Sequence, residues 1–203
     1  MAQNTSTAVM QRRVPGTDHL DFYPTPPWAT RALCEWLPAG ANEGVAWDCA
    51  CGEHDMVRSL REFFRSVIAT DIAPHKGGHE VVDFLWPTER RADWIITNPP
   101  FALAEQFAQT ALLRADQGVA LLVRTAFLEG MGRYKRLFYP QAPTDILQFT
   151  ERVVMHHGHL SKEGSTATAY CWVVWRNKKH GGTEFDWIAP CRKRLERDED
   201  YPT

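Results

Sequence analysis

Asn98-Pro99-Pro100-Phe101 closes the apolar run Trp94-Ile95-Ile96-Thr97. A strand that stops at a carboxamide, two prolines and an aromatic ring ends in a stiff ledge. Ligands of open α/β sheets sit at the carboxyl ends of strands, where such a ledge would lie. The residue types suit chemistry on a planar amine. The Asn98 carboxamide oxygen and the Pro99 carbonyl can each accept one hydrogen of an –NH2 group, and Phe101 can stack on the ring that carries it. With both hydrogens held, the nitrogen lone pair is left for an electrophile and little base is needed. Out of context the same tetrapeptide is also an ordinary strand-ending turn.

Three further clusters share that geometry. Trp47-Asp48-Cys49-Ala50-Cys51-Gly52-Glu53-His54 follows an apolar run and opens a helical one. Small residues there let a ligand approach the backbone, and a helix start favours negative charge. Asp48, at the strand tip, is placed to meet a cation such as an amino acid's ammonium group. A tight turn needing only Gly52 fits the stretch equally well. Thr70-Asp71-Ile72 ends the next strand, with its acid about 20 positions past the glycine, a good site for ribose hydroxyls. Asp83-Phe84 offers a carboxylate to an adenine amino group beside an aromatic wall; it also reads as a surface Asp next to a core Phe.

The elements that must position these residues alternate in type. A helix is expected from Thr25, its N-cap, to about Leu37, with Pro26 and Pro27 at its first positions. Strands follow at 45–49, 66–71, 81–85, 94–97 and 118–123, with helices at 55–64 and 102–113. Strands apolar throughout, in a βαβ rhythm, imply a parallel sheet covered on both faces. Residues 145–152 and 166–176 read as strands joined by too short a link for a crossover, hence an antiparallel pair at the sheet's edge near the C-terminal end. Residues 1–17 read as a loose arm, 18–189 as one domain, and 190–203 as a charged, frayed tail.

The chain has 203 residues and a formal net charge of -2, so any nucleic acid must meet a local patch and not an overall basic field. No run reaches the ~18 apolar residues of a membrane span, and the N-terminus lacks an apolar signal core. Five cysteines, an odd number, argue against a secreted disulfide framework and for the cytoplasm.

The succession Asp21-Phe22-Tyr23-Pro24-Thr25-Pro26, Asp48-Cys49-Ala50-Cys51-Gly52 and Asn98-Pro99-Pro100-Phe101 resembles the S-adenosylmethionine-dependent amino-methyltransferases of DNA. The nearest resemblance is to the small adenine-N6 enzymes of bacteriophages and prophages, over residues 18–177. It implies a Rossmann-like methyltransferase fold and S-adenosylmethionine as cofactor. Tyr23, Thr25 and Pro26 would lie against the methionine part, and Asp48, Cys49, Cys51 and Gly52 would form its floor. Asp71 would hold the ribose, with Ile72 against the adenine and Asp83 and Phe84 at its amino group. Asn98, Pro99, Pro100 and Phe101 would hold a flipped adenine. Two departures from the family pattern are Cys49, where most relatives have Pro, and the lack of a second glycine near His54. They leave an inactive cofactor-binding module as an alternative. Methylation of a protein glutamine or an RNA base amine is another, against which Tyr23-Pro24-Thr25-Pro26 favours DNA.

With DNA as partner, contacts are expected from Arg124, Arg133, Lys135 and Arg136 after the fifth strand, and from Lys162 with His156, His157 and His159. No metal is expected: Cys-x-x-Cys and His-Glu-x-x-His are absent, and neighbouring histidines of an extended segment point to opposite faces.

Overall fold

The computed structural model describes residues 22–177 and 181–201. Residues 1–21, and with them the expected arm, lie outside the described part. Helix α1 (Pro27–Trp36) precedes strand β1 (Val45–Asp48), helix α2 (Asp55–Leu60) and strands β2 (Ser66–Asp71) and β3 (Glu80–Val81). Strand β4 (Ala92–Thr97), helix α3 (Ala104–Arg114) and strand β5 (Ala115–Arg124) come next, then a short helix α4 (Met131–Arg133) continued by a wider turn over Tyr134–Phe138. Strands β6 (Asp145–Phe149), β7 (Tyr170–Arg176) and β8 (Glu184–Ile188), helix α5 (Arg192–Leu195) and a helical turn at Asp198–Asp200 follow.

Among the described residues eight strands join one sheet in the order β3-β2-β1-β4-β5-β7-β6-β8. The pairings from β3 to β5 are parallel, and β7 runs antiparallel to both β5 and β6. The expected mixed α/β sheet is therefore the observed one. Successive residues of a strand face opposite sides, and here both sides are apolar. Ile96, Leu122 and Trp172 pack with Trp28 and Leu33 of α1, while Ile95, Leu121 and Val173 pack with Phe107 and Ala108 of α3. Gly118 is dictated by its neighbour on β4: a Cβ there would come within 2.5 Å of the Trp94 ring.

Four expectations need correction. Thr25 does not cap α1; Pro26 occupies that position and Pro27 starts the helix, which leaves the Thr25 hydroxyl for another partner. The third strand is only Glu80–Val81, so Asp83 and Phe84 lie in the turn beyond it. The antiparallel pair is not the edge, because β8 pairs parallel with β6 outside it. Its Phe185 and Trp187 alternate along the strand but remain exposed, so β8 adds no buried face to the core.

The segment after Pro190 is packed, not frayed. Arg31 of α1 is buried; its Nη1 donates to the Leu195 carbonyl at 2.8 Å, and Nη1 and Nη2 donate to the Asp200 carboxylate at 2.7 Å each. Arg31 also binds Glu62, which Arg197 reaches from the other side. A buried guanidinium needs anions and carbonyls around it, and the charged C-terminal segment supplies them.

Candidate functional site

β4 ends at Thr97, so Asn98 emerges from the sheet's carboxyl edge, and Pro99-Pro100 stop the strand because neither offers an N–H to the ladder. The Asn98 Nδ2 donates to the Tyr23 carbonyl at 2.9 Å and the Thr25 hydroxyl at 3.1 Å, and lies 3.6 Å from the Met155 sulfur. A carbonyl can only accept, so the Tyr23 contact decides which end of the amide faces it. The carboxamide oxygen is thereby turned the other way. It is buried and has no partner among the described residues. The Tyr-x-Thr segment thus serves first to orient Asn98, 75 residues away.

The Phe101 ring lies 5.4 Å from that of Tyr23, and the Arg124 guanidinium covers it at 3.9 Å. The Arg124 Nε is buried with no hydrogen-bond partner among the described residues. An aromatic plate capped by an under-bonded cation therefore stands at the tips of β4 and β5.

Next to Asn98 a cleft opens over the carboxyl ends of β1, β2 and β4. Asp48, 1% exposed, accepts from the Thr97 hydroxyl at 2.8 Å and the Ala50 N–H at 3.4 Å. Burial pushes its carboxyl up to about 7, against the opposing pull of those two donors, and the nearby Asp71 and Asp55 add to the rise. The folded protein therefore keeps this proton up to about pH 7, whereas an unfolded chain gives it up in the ordinary carboxylate range. Stability falls as pH rises between those values and stays at the lower level above them. Asp48→Asn is accordingly expected to be more stable than the parent at pH 8, by on the order of a few kcal/mol, and equal to it near pH 4. Thermal denaturation across that range checks this.

Asp71 ties two loops together: its carboxylate accepts from the Gly52 N–H at 2.9 Å and the Ala73 N–H at 3.0 Å. Gly52 has φ +49, and a Cβ there would strike the Phe22 ring at 2.4 Å, so both conformation and space require glycine. Two residues on, where a second glycine is missing, His54 itself adopts φ 73. Among the described residues it is the non-glycine found at positive φ, so the backbone keeps the bend without the residue that favours it.

The cleft brings together Tyr23, Thr25, Asp48, Cys49, Cys51, Gly52, Asp71, Ile72, Asp83, Phe84, Asn98 and Pro100. Pro26, Pro99 and Phe101 are not among the residues that line it. The exposed Ile72 leaves an apolar surface to be covered. Asp83 already accepts from the Leu85 N–H at 2.8 Å, and Phe84 is buried against Trp47 and Phe107. Phe22, His75, Leu103 and Phe107 also line the cleft. Phe22 adjoins a recognised motif, but nothing in the sequence distinguishes the other three from core or surface residues.

Several of the expected cationic residues are engaged with other groups of the protein. Arg133 donates to the Phe127 and Glu129 carbonyls, and Arg136 is paired with Glu105 at 2.6 Å. Lys135 is exposed on the same turn. Lys162 is on another loop, bonded to Asp198. Arg124 touches the site already described, and so does His157, whose ring lies 5.4 Å from that of Tyr23.

No family model and no curated protein sequence matches the chain. Solved structures do. A methyltransferase subunit of a type I restriction-modification system from Streptococcus thermophilus superposes with a TM-score of 0.62 at 12% identity, covering 89% of this chain and 50% of that one. A protein described as the modification subunit of a type I restriction enzyme from Vibrio vulnificus gives 0.59 at 15%, over 92% and 51%. One described as a class I S-adenosylmethionine-dependent methyltransferase from Listeria monocytogenes gives 0.60 at 10%, over 80% and 64%. The chain has the class I methyltransferase fold. It spans half to just under two thirds of the length of these neighbours. Among the described residues no helix is long and apolar enough to cross a membrane.

Proposed function

We propose that this protein transfers a methyl group from S-adenosylmethionine to the N6 amine of adenine in DNA. The observation that carries the reading is the Asn98 carboxamide oxygen: buried, without a partner among the described residues, and held in orientation from behind by the Tyr23 carbonyl. An unsatisfied buried acceptor costs stability unless a donor comes to it, and an exocyclic amine is such a donor. Asn98 then accepts one amine hydrogen and the Pro99 carbonyl the other. Positive charge builds on the nitrogen during attack, so both acceptors bind more strongly in the transition state than in the ground state.

The residues of the cleft fit the cofactor. Asp48 offers a buried anion to an ammonium group, Asp71 retains lone pairs for hydroxyls, and Ile72 offers an apolar plate. When bound, S-adenosylmethionine supplies an electrophilic methyl group on a sulfonium. A cation beside Asp48 returns its carboxyl to the ionised state, so cofactor affinity should rise with pH through about 7. Loss of that dependence in Asp48→Asn, followed by calorimetry, checks the assignment.

Adenine must leave the duplex to reach Asn98, at a cost of a few kcal/mol. Stacking on Phe101 returns about 1–3 kcal/mol. A base on the covered face displaces Arg124, whose guanidinium is then available to a phosphate. The restriction-modification neighbours and the Tyr-x-Thr-Pro segment support DNA. Another neighbour, described as an RNA methyltransferase from Pyrococcus horikoshii, keeps RNA as the substrate to test against (TM-score 0.52).

The deciding experiment incubates the protein with unmethylated DNA and S-adenosylmethionine, then analyses the nucleosides by mass spectrometry. N6-methyladenine is the expected product. N4-methylcytosine would overturn the base assignment, and no methylated nucleoside despite measured cofactor binding would overturn the DNA substrate.

A further inference from the structure

At the edge of the cleft, which Cys51 lines, three side chains converge that the proposed transfer does not use together. Cys51 and His54 belong to the loop that opens α2, and His79 to the loop between β2 and β3. One ligand atom of each, a sulfur and two ring nitrogens, lies within 4.8 Å of the other two. The His54 Nε2 and His79 Nδ1 are 3.2 Å apart. Ligands ~2.0–2.3 Å from a tetrahedral zinc stand roughly 3.3–3.8 Å from one another, so the two nitrogens are already at that spacing and the sulfur needs about an ångström of approach.

Two independent features mark the cluster as more than a chance meeting of rings. The His79 Nε2 donates to the Ala73 carbonyl at 2.7 Å, which fixes the ring and leaves the Nδ1 lone pair facing His54 and Cys51. A metal-ligating histidine almost always has its second nitrogen anchored in this way. His54 holds a left-handed backbone, φ 73 and ψ 20, where glycine would sit without strain. That conformation directs its side chain at His79, and Gly77 leaves the room: a Cβ there would fall 2.4 Å from the His54 Nε2.

We propose that Cys51, His54 and His79 bind a transition-metal ion of the zinc class, which staples together the two loops that floor the cleft. On binding, the ion replaces the hydrogen between the two rings. His54 carries its proton on Nδ1, and the Cys51 thiol gives its proton to solvent. A soft sulfur with two imidazoles selects zinc or cobalt over magnesium or calcium. One tetrahedral position remains for water or a further side chain. The spacing Cys51-x-x-His54, with its third ligand 25 residues on, does not follow the usual zinc patterns, which explains the contrary expectation from sequence. The site stands whether or not the cleft takes S-adenosylmethionine.

The test is titration of the full chain with cobalt(II), read by absorption, then displacement by zinc. The expected result is one cobalt per chain with a thiolate-to-metal charge-transfer band. Cys51→Ser should lose the band, and His79→Ala and His54→Gly should weaken binding at least ~10-fold. His54→Gly is the decisive variant, since glycine accommodates φ 73 and so preserves the loop. Chelator should lower the Tm of the parent but not of His54→Gly. His156→Ala with His159→Ala, which removes the stacked pair on another loop, should leave the band intact. No charge-transfer band, or a band that survives His54→Gly and His79→Ala, overturns the proposal.

Discussion

Asn98→Ala is expected to lower kcat at least ~100-fold while S-adenosylmethionine binding stays nearly unchanged. Removing one preorganised hydrogen-bonding group that faces developing charge costs about 10²–10³ in kcat in well-studied sites, and here the carboxamide oxygen is one of two acceptors for the amine. The cofactor's anchors are different groups, Asp48 and Asp71, so the ground-state complex loses little. The substitution also leaves the Tyr23 carbonyl and the Thr25 hydroxyl without their donor. Asn98→Asp separates the two roles, because it restores an acceptor toward the amine but turns a second oxygen toward the Tyr23 carbonyl. Single-turnover kinetics beside calorimetric cofactor binding makes the measurement. Equal loss of turnover and cofactor affinity in Asn98→Ala would show that the residue only braces the segment at Tyr23.

The second large effect lies far from the chemistry. Arg31→Met should destabilise the protein by about 3–5 kcal/mol, the range for breaking a buried ion pair from one side. Methionine fills much of the space but takes the donor from the buried Leu195 carbonyl and leaves the buried Asp200 carboxylate with the Arg197 N–H in place of a guanidinium. For a chain of this size the fall in Tm is on the order of 10 °C. Limited proteolysis should then cut after Pro190, where the parent resists. Arg31→Met with Asp200→Asn should cost less than the two single losses added together, since the partners form one network. An unchanged Tm in Arg31→Met would mean that the C-terminal segment is docked by its apolar contacts at Cys191 and Leu195 instead.

The order of elements was legible because the relevant signals are local. Apolar runs such as Trp94–Thr97 and Gly118–Val123 mark buried strands, and Pro27 and Pro38 bracket the first helix. Where a signal is shared between distant segments, the reading failed. Thr25 has the residue type of a helix cap, yet its hydroxyl is taken by Asn98, and only the meeting of those two segments decides it. β8 is a five-residue strand whose alternating Phe185 and Trp187 stay exposed, so it is held by backbone pairing with β6 and not by a face buried in the core. The C-terminal charges look like a solvated tail until Arg31 is seen buried among them.

For the site, the sequence by itself determined which groups stand at the strand tips: Asp48, Asp71 and Asn98 each end an apolar run, and a parallel sheet carries such ends to one edge. That much follows from periodicity and from the chain's punctuation by glycine and proline. Only the tertiary structure decided how those groups face. The Asn98 amide is oriented by a carbonyl 75 residues before it, Asp48 owes its raised proton affinity to complete burial, and Cys51 meets His79 through the folding of two loops. Orientation, burial and convergence depend on contacts between segments remote in sequence, and local residue preferences carry no record of them.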